Sequence, residues 1–134
     1  MTVEFSVFAY EFPDLKGCEY DDNWLQVRME YFTDRGKVVR SYPALLTWEL
    51  VRIRDLIVGG LKCKKLDFME PEIEFKIQAD VLILETRYGL RLDETADVNV
   101  FESRLSEEWI AESASEIDSM CAKFPIRGKL SFKV

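Results

Sequence analysis

Glu72-Ile73-Glu74-Phe75-Lys76-Ile77-Gln78-Ala79-Asp80-Val81-Leu82-Ile83-Leu84 is the stretch on which the reading of the fold turns. Ile73, Phe75, Ile77 and Ala79 alternate with Glu74, Lys76 and Gln78, the two-residue period of a strand with one face inward and the other toward water. Only Gln78, Ala79 and Asp80 separate this strand, Glu72–Ala79, from the next apolar run, Val81–Leu92. So short a gap joins antiparallel neighbours, because a parallel pair needs a crossover of roughly a dozen residues or more. Strand candidates flank the hairpin at Lys65–Met69 and at about Ala96 to Arg104.

Toward the N-terminus, Glu4–Phe12 carries apolar residues on both parities, as expected of a strand covered on both faces or one that changes face at a bulge; a central position is predicted. After the break at Pro13–Gly17, Trp24, Leu25, Val27, Met29 and Tyr31 predict a half-buried strand. Arg35-Gly36 after Asp34 reads as a hairpin turn into a third strand, Lys37–Tyr42. At Thr47 the period changes to that of a helix, with Leu50, Ile53 and Ile57 on one face. Thr47 fits the N-cap, Glu49 complements the first turn, and Gly59-Gly60 ends a helix expected over Trp48–Val58. Ser106 opens a second helix, whose apolar stripe is Ile110, Ala114, Ile117, Cys121 and Phe124 and which Pro125 ends. Leu130, Phe132 and Val134 alternate and predict a last short strand. The order β-β-β-α-β-β-β-β-α implies an α+β fold: a single domain over residues 1–134, with a mainly antiparallel twisted sheet of about seven strands backed by two helices. The missing β-α-β alternation disfavours a doubly wound fold.

Composition narrows the chemistry. The 134 residues hold no histidine and three cysteines, and 18 basic against 25 acidic side chains leave a net charge of −7. Imidazole-based triads, imidazole metal ligands and imidazole pH switches are thereby excluded. An acidic balance opposes nucleic-acid binding, which depends on clustered Lys and Arg, and favours a basic partner. Cys18, Cys63 and Cys121 lie far apart with no C-x-x-C pair, so they read as reduced thiols rather than as a disulfide framework or a zinc site. No apolar run approaches the roughly 20 residues of a membrane span, and the N-terminal residues do not form a signal peptide. A cytoplasmic protein needing no cofactor and no metal is expected.

Glycine-rich phosphate loops and nucleophile elbows are missing from the sequence. The doublets Asp21-Asp22 and Glu107-Glu108 could in principle serve acid–base chemistry, but adjacent side chains point apart, and such pairs are ordinarily solvated surface. Cys63 between Lys62 and Lys64 has the charge environment that lowers a thiol pKa, yet a nucleophile also needs a base. The run Lys62–Lys65 could touch phosphate, although a charged strand flank is commonly a solvated edge. A noncatalytic chain is expected. Its most unusual segment is Glu11–Leu25, where Glu11, Asp14, Glu19, Asp21 and Asp22 stand against Lys16 with Tyr20 in their midst. Such residues could simply brace the turn. Carboxylates interleaved with an aromatic also suit a surface that captures Lys and Arg of a partner. The outer face of the second helix, with Glu112, Glu116 and Asp118, is a competing acidic surface.

Tyr10-Glu11-Phe12-Pro13, Tyr20-Asp21-Asp22-Asn23-Trp24-Leu25, Pro43-Ala44-Leu45-Leu46-Thr47-Trp48-Glu49-Leu50 and Lys123-Phe124-Pro125-Ile126-Arg127, in this order and spacing, resemble the WapI family of bacterial immunity proteins. The resemblance extends over nearly the whole chain. It implies a small cytosolic protein that binds the C-terminal nuclease domain of a contact-dependent toxin and keeps it inactive. A basic nuclease and an acidic inhibitor have complementary fields. The alternative is a small-ligand-binding or scaffold protein whose sheet and helices enclose a pocket.

Overall fold

The computed structural model describes residues 2–59, 64–93, 95–132 and 134. The element order is β1 (Thr2–Tyr10), β2 (Trp24–Thr33), β3 (Gly36–Leu46), α1 (Thr47–Ile57), β4 (Lys65–Leu66), β5 (Ile73–Gln78), β6 (Val81–Arg87), β7 (Val98–Arg104) and α2 (Glu107–Lys123). The α+β class and the order of elements agree with the sequence pattern. The strands divide between two antiparallel sheets, β1-β2-β3 and β4-β5-β6-β7. Alternation reports which face of a strand is buried and carries no record of which strands share a ladder.

The 72–84 stretch forms the expected hairpin, tighter than the pattern suggests. Gln78 pairs with Val81 across a two-residue turn, in which Ala79 takes φ 54° and lies at the surface rather than inward. β1 lies at an edge, contrary to its predicted central place; β2 is the middle strand of its sheet. The mixed parity of β1 comes from a bulge between Val7 and Ala9, which leaves Phe8 outside with the Arg28 guanidinium 4.4 Å from its ring centre. β3 runs on through Leu46, four residues past the predicted end, and delivers the chain directly into α1.

α1 begins one residue early, with Leu46 rather than Thr47 as its N-cap. Glu49 accounts for this: its Oε1 accepts the Leu46 N–H at 2.9 Å, the carboxylate half of a capping box. The Thr47 hydroxyl is used elsewhere, donating to Asn23 Oδ1 at 2.7 Å. Gly59, at φ 81°, closes the helix, and its expected partner Gly60 lies outside the described residues. α2 starts as predicted, with Ser106 Oγ accepting the Trp109 N–H. Leu130–Val134 forms no strand among the described residues; Phe132 instead packs edge-on against Trp48, ring centres 5.0 Å apart.

The two sheets meet through aromatic rings, Phe5 on Phe75 and Tyr31 on Phe101. Leu25, Val27 and Met29 of β2 are fully buried in one cluster with Leu50, Ile53 and Leu56 of α1, Ile73 and Phe75 of β5, and Ile117 of α2. Tyr31 is the polar pin of this core. Its hydroxyl donates to the Leu90 carbonyl and lies 3.1 Å from Thr86 Oγ1, tying β2 to β6 and to the turn that follows β6. Removing the hydroxyl strands a buried carbonyl, so Tyr31→Phe should lose about 1–3 kcal/mol in urea unfolding. Unchanged stability would show that the pin is dispensable.

Candidate partner-binding surface

The long loop between β1 and β2 is held by residues distant in sequence. Asn23 is fully buried. Its amide donates to the Glu19 and Arg127 carbonyls, at 2.7 and 3.0 Å, while its Oδ1 accepts from the Thr47 hydroxyl and from the Arg127 N–H. The Arg127 guanidinium in turn donates to the carbonyls of Asp22, Pro13 and Phe12, and stacks 3.7 Å from the centre of the Tyr10 ring. Tyr10 donates to the Pro125 carbonyl and packs edge-on against Phe124. Segments 10–13, 20–24, 46–49 and 123–127 thus converge on one clasp.

This clasp sorts the predicted site residues. Asp22, 5% exposed, accepts the Lys16 N–H through Oδ1 and braces the loop's own backbone. Glu19 accepts the N–H and the hydroxyl of Ser131, both at 2.8 Å, and so ties down the C-terminal segment. Tyr20 leans edge-on against Trp48 with 36% of its surface still open. Trp48 is almost wholly buried and Trp24 is half-buried at its pairing with Leu46, in keeping with structural roles for both. Asp14 is exposed, and Asp21 and Glu11 are half-buried. On α2, Glu112 and Glu116 are exposed, while Asp118 pairs with Arg54 at 2.9 Å. Cys63 and Lys62 lie outside the described residues; Cys18 is exposed and free.

Sequence reasoning passed over Glu70, whose charge bears on Glu11 of the loop, and its neighbour Glu72. Glu70 and Glu72 flank Pro71 in the turn before β5, and Glu70 lies within the field of Glu11. Burial pushes the Glu11 carboxyl upward, with Asp21 and Glu70 adding repulsion. Glu72 is raised by burial, partly offset by a bond from its own N–H, and raised further by Glu70. Glu49 is also raised by burial, only partly offset by N–H bonds from Leu46 and Met69. The Tyr42 hydroxyl is pushed up chiefly by the charges of Glu72 and Glu70. An acidic doublet about a proline is a visible sequence signal, but its approach to residue 11 comes only from the folded chain.

A second feature is a cleft of about 610 Å³ between β1, the β5-β6-β7 face and α2, lined by Phe5, Phe75, Leu84, Phe101, Trp109 and Met120, with Glu116 among the polar residues that border it. No helix among the described residues is long and apolar enough to cross a membrane.

Fold and surface together define a two-sheet α+β protein that presents carboxylates on a loop braced by buried polar side chains. The chain belongs to the immunity protein WapI-like family, whose family model matches residues 1–125. The match ends two residues short of Arg127. Comparison with the curated proteins and with the solved structures gives no match. Membership in an immunity family implies a toxin protein as partner.

The raised carboxyls fix the sign of the pH dependence. A folded state that holds protons more tightly than the unfolded chain loses stability as pH rises from the ordinary glutamate value of about 4.3 through the raised values. Glu85 acts oppositely: burial raises it, but hydrogen bonds from Arg87 and Lys76 outweigh burial and lower it, so its contribution is lost as pH falls through that lowered value. Glu72→Gln should therefore flatten the decline in unfolding free energy from about pH 4.3 toward neutrality. A decline as steep as that of the parent chain would contradict the placement of Glu72 in this field.

Proposed function

We propose that the chain is a noncatalytic immunity protein that binds the basic nuclease domain of a cognate toxin and holds it inactive in the cytoplasm. The observation that supports this reading is the clasp of Asn23 and Arg127, which braces the loop carrying Glu11, Asp14 and Asp21. Family membership supports a toxin as partner, and charge supports a basic one. A nuclease must be electropositive to hold its substrate, and an acidic surface competes for that site while steering association. Glu19, Tyr20 and Asp22 contribute by shaping the loop that the others present, and Glu112, Glu116 and Asp118 form a secondary acidic face.

Purified chain should suppress the toxin domain encoded beside it at about one-to-one stoichiometry, with an association rate that falls as salt rises. Asp14→Lys with Asp21→Lys should slow association by about tenfold at low salt and leave the fold intact. Glu112→Lys with Glu116→Lys should matter less. Inhibition indifferent to both pairs would reject the acidic surface as the contact. Nuclease or hydrolase turnover by the chain itself, abolished by changing one carboxylate, would reject the noncatalytic reading.

The cleft favours a second reading, a carrier of a small apolar ligand, since its volume is typical of ligand pockets. Native mass spectrometry separates the two: a bound small molecule on the purified chain supports the carrier, and a one-to-one toxin complex without one supports immunity.

A further inference from the structure

β1 is an edge strand, and among the described residues β2 is its one ladder partner. Half of its backbone N–H and C=O groups therefore point away from the ladder, the arrangement that invites a further strand. No backbone hydrogen bond outside the ladder reaches residues 3–6 among the described residues. Their register with β2 is regular, since the bulge lies beyond them, between Val7 and Ala9. This edge opens into the cleft of about 610 Å³, which Val3, Glu4, Phe5 and Ser6 all border. Successive side chains leave a strand on opposite faces, so four residues in a row meet one cleft only along the strand's edge. Across the cleft, Leu84, Phe101, Trp109 and Met120 pack against the core and stay partly open.

The charge of the cleft is of one sign. Glu4, Glu30 and Glu116 are the charged residues of its lining, with no Lys or Arg among them. Glu4 and Glu30 pair across the ladder, a repulsive placement that Lys37 offsets only at Glu30, 3.7 Å away. Glu4 and Glu116 are exposed and join no ion pair among the described residues. We propose that the cleft is a docking groove for an extended segment of the partner protein, which adds a strand to β1, seats apolar side chains against Phe101, Trp109 and Met120, and brings Lys or Arg to Glu4 and Glu116. Main-chain bonds to the edge supply affinity in such an arrangement, and alternate side chains supply specificity. A small apolar ligand would use the walls and leave the β1 edge unpaired. A second copy of this chain is the poorer occupant, since each copy carries a net charge of −7. The C-terminal segment of the chain is held elsewhere, by Ser131 on Glu19 and Phe132 on Trp48. The groove rests on the immunity reading only for the identity of the protein that brings the segment.

NMR titration of the intact chain with short acetylated and amidated peptides tests the groove without a toxin. A peptide alternating lysine with leucine should give saturable shifts at the amides of residues 3–6 and at the Trp109 indole. The same peptide N-methylated at its internal amides keeps its side chains and loses its donors, and should bind more weakly by about tenfold or more. A peptide alternating glutamate with leucine should not bind, and Glu4→Lys with Glu116→Lys, both at exposed positions, should reverse that preference. No saturable shift with the lysine peptide, or equal binding of its N-methylated form, overturns the added strand. Indifference to the charge of the peptide overturns the acidic rim. With a toxin domain that the parent chain inhibits, those amides of residues 3–6 that exchange in the free chain should become protected in the complex, and continued exchange overturns the groove as a contact. A toxin left uninhibited counts against the immunity reading, while the peptide titration still decides the groove.

Discussion

The hydrogen bonds that Asn23 and Arg127 make with each other and with the loop are the constraint on which the presented surface depends. Asn23 uses both amide protons and accepts twice, so its burial leaves no side-chain polar atom unmatched. Arg127 reaches three carbonyls and no carboxylate, and its positive charge sits beneath a loop rich in acids. Carbonyl oxygens satisfy the guanidinium donors while leaving its charge to offset neighbouring carboxylates. An irregular loop of this length would otherwise carry many unpaired backbone groups; here distant segments supply their partners.

Charge is divided by task. Asp22, Glu19 and Glu49 accept from the N–H groups of Lys16, Ser131, Leu46 and Met69 and so act on the protein's own backbone. Asp14 stays exposed, while Glu11, Asp21, Glu70 and Glu72 repel one another in part. Burial is the larger cost at Glu11 and Glu72, and mutual repulsion adds to it.

What was legible in the sequence was local. The alternation of Ile73, Phe75 and Ile77, the helical spacing of Leu50, Ile53 and Ile57, and the Ser106 cap depend on near neighbours, and they led to the right class and order. The edge position of β1, the division into two sheets and the helix start at Leu46 depend on partners far along the chain; Thr47 yields its hydroxyl to Asn23, 24 residues away. Phe132 follows the same rule, drawn onto Trp48 instead of into a strand. At the surface, the acids of the loop were visible by composition, whereas the field of Glu70 on Glu11 arises only in the folded chain. The motifs on which the sequence resemblance rests converge on the clasp and the loop it holds, with Arg127 the residue whose role was least apparent.

Native-state amide hydrogen exchange on Arg127→Ala tests the clasp most directly. In the parent chain the Lys16, Asp22 and Asn23 amides are bonded within the loop, to Asp22 Oδ1 and to the Cys18 and Tyr20 carbonyls. The account predicts that the variant loses protection at these three amides while the β5–β6 ladder keeps its own, a local opening below the free energy of global unfolding. Unchanged protection of the loop amides would contradict the claim that the clasp holds the acidic surface in place.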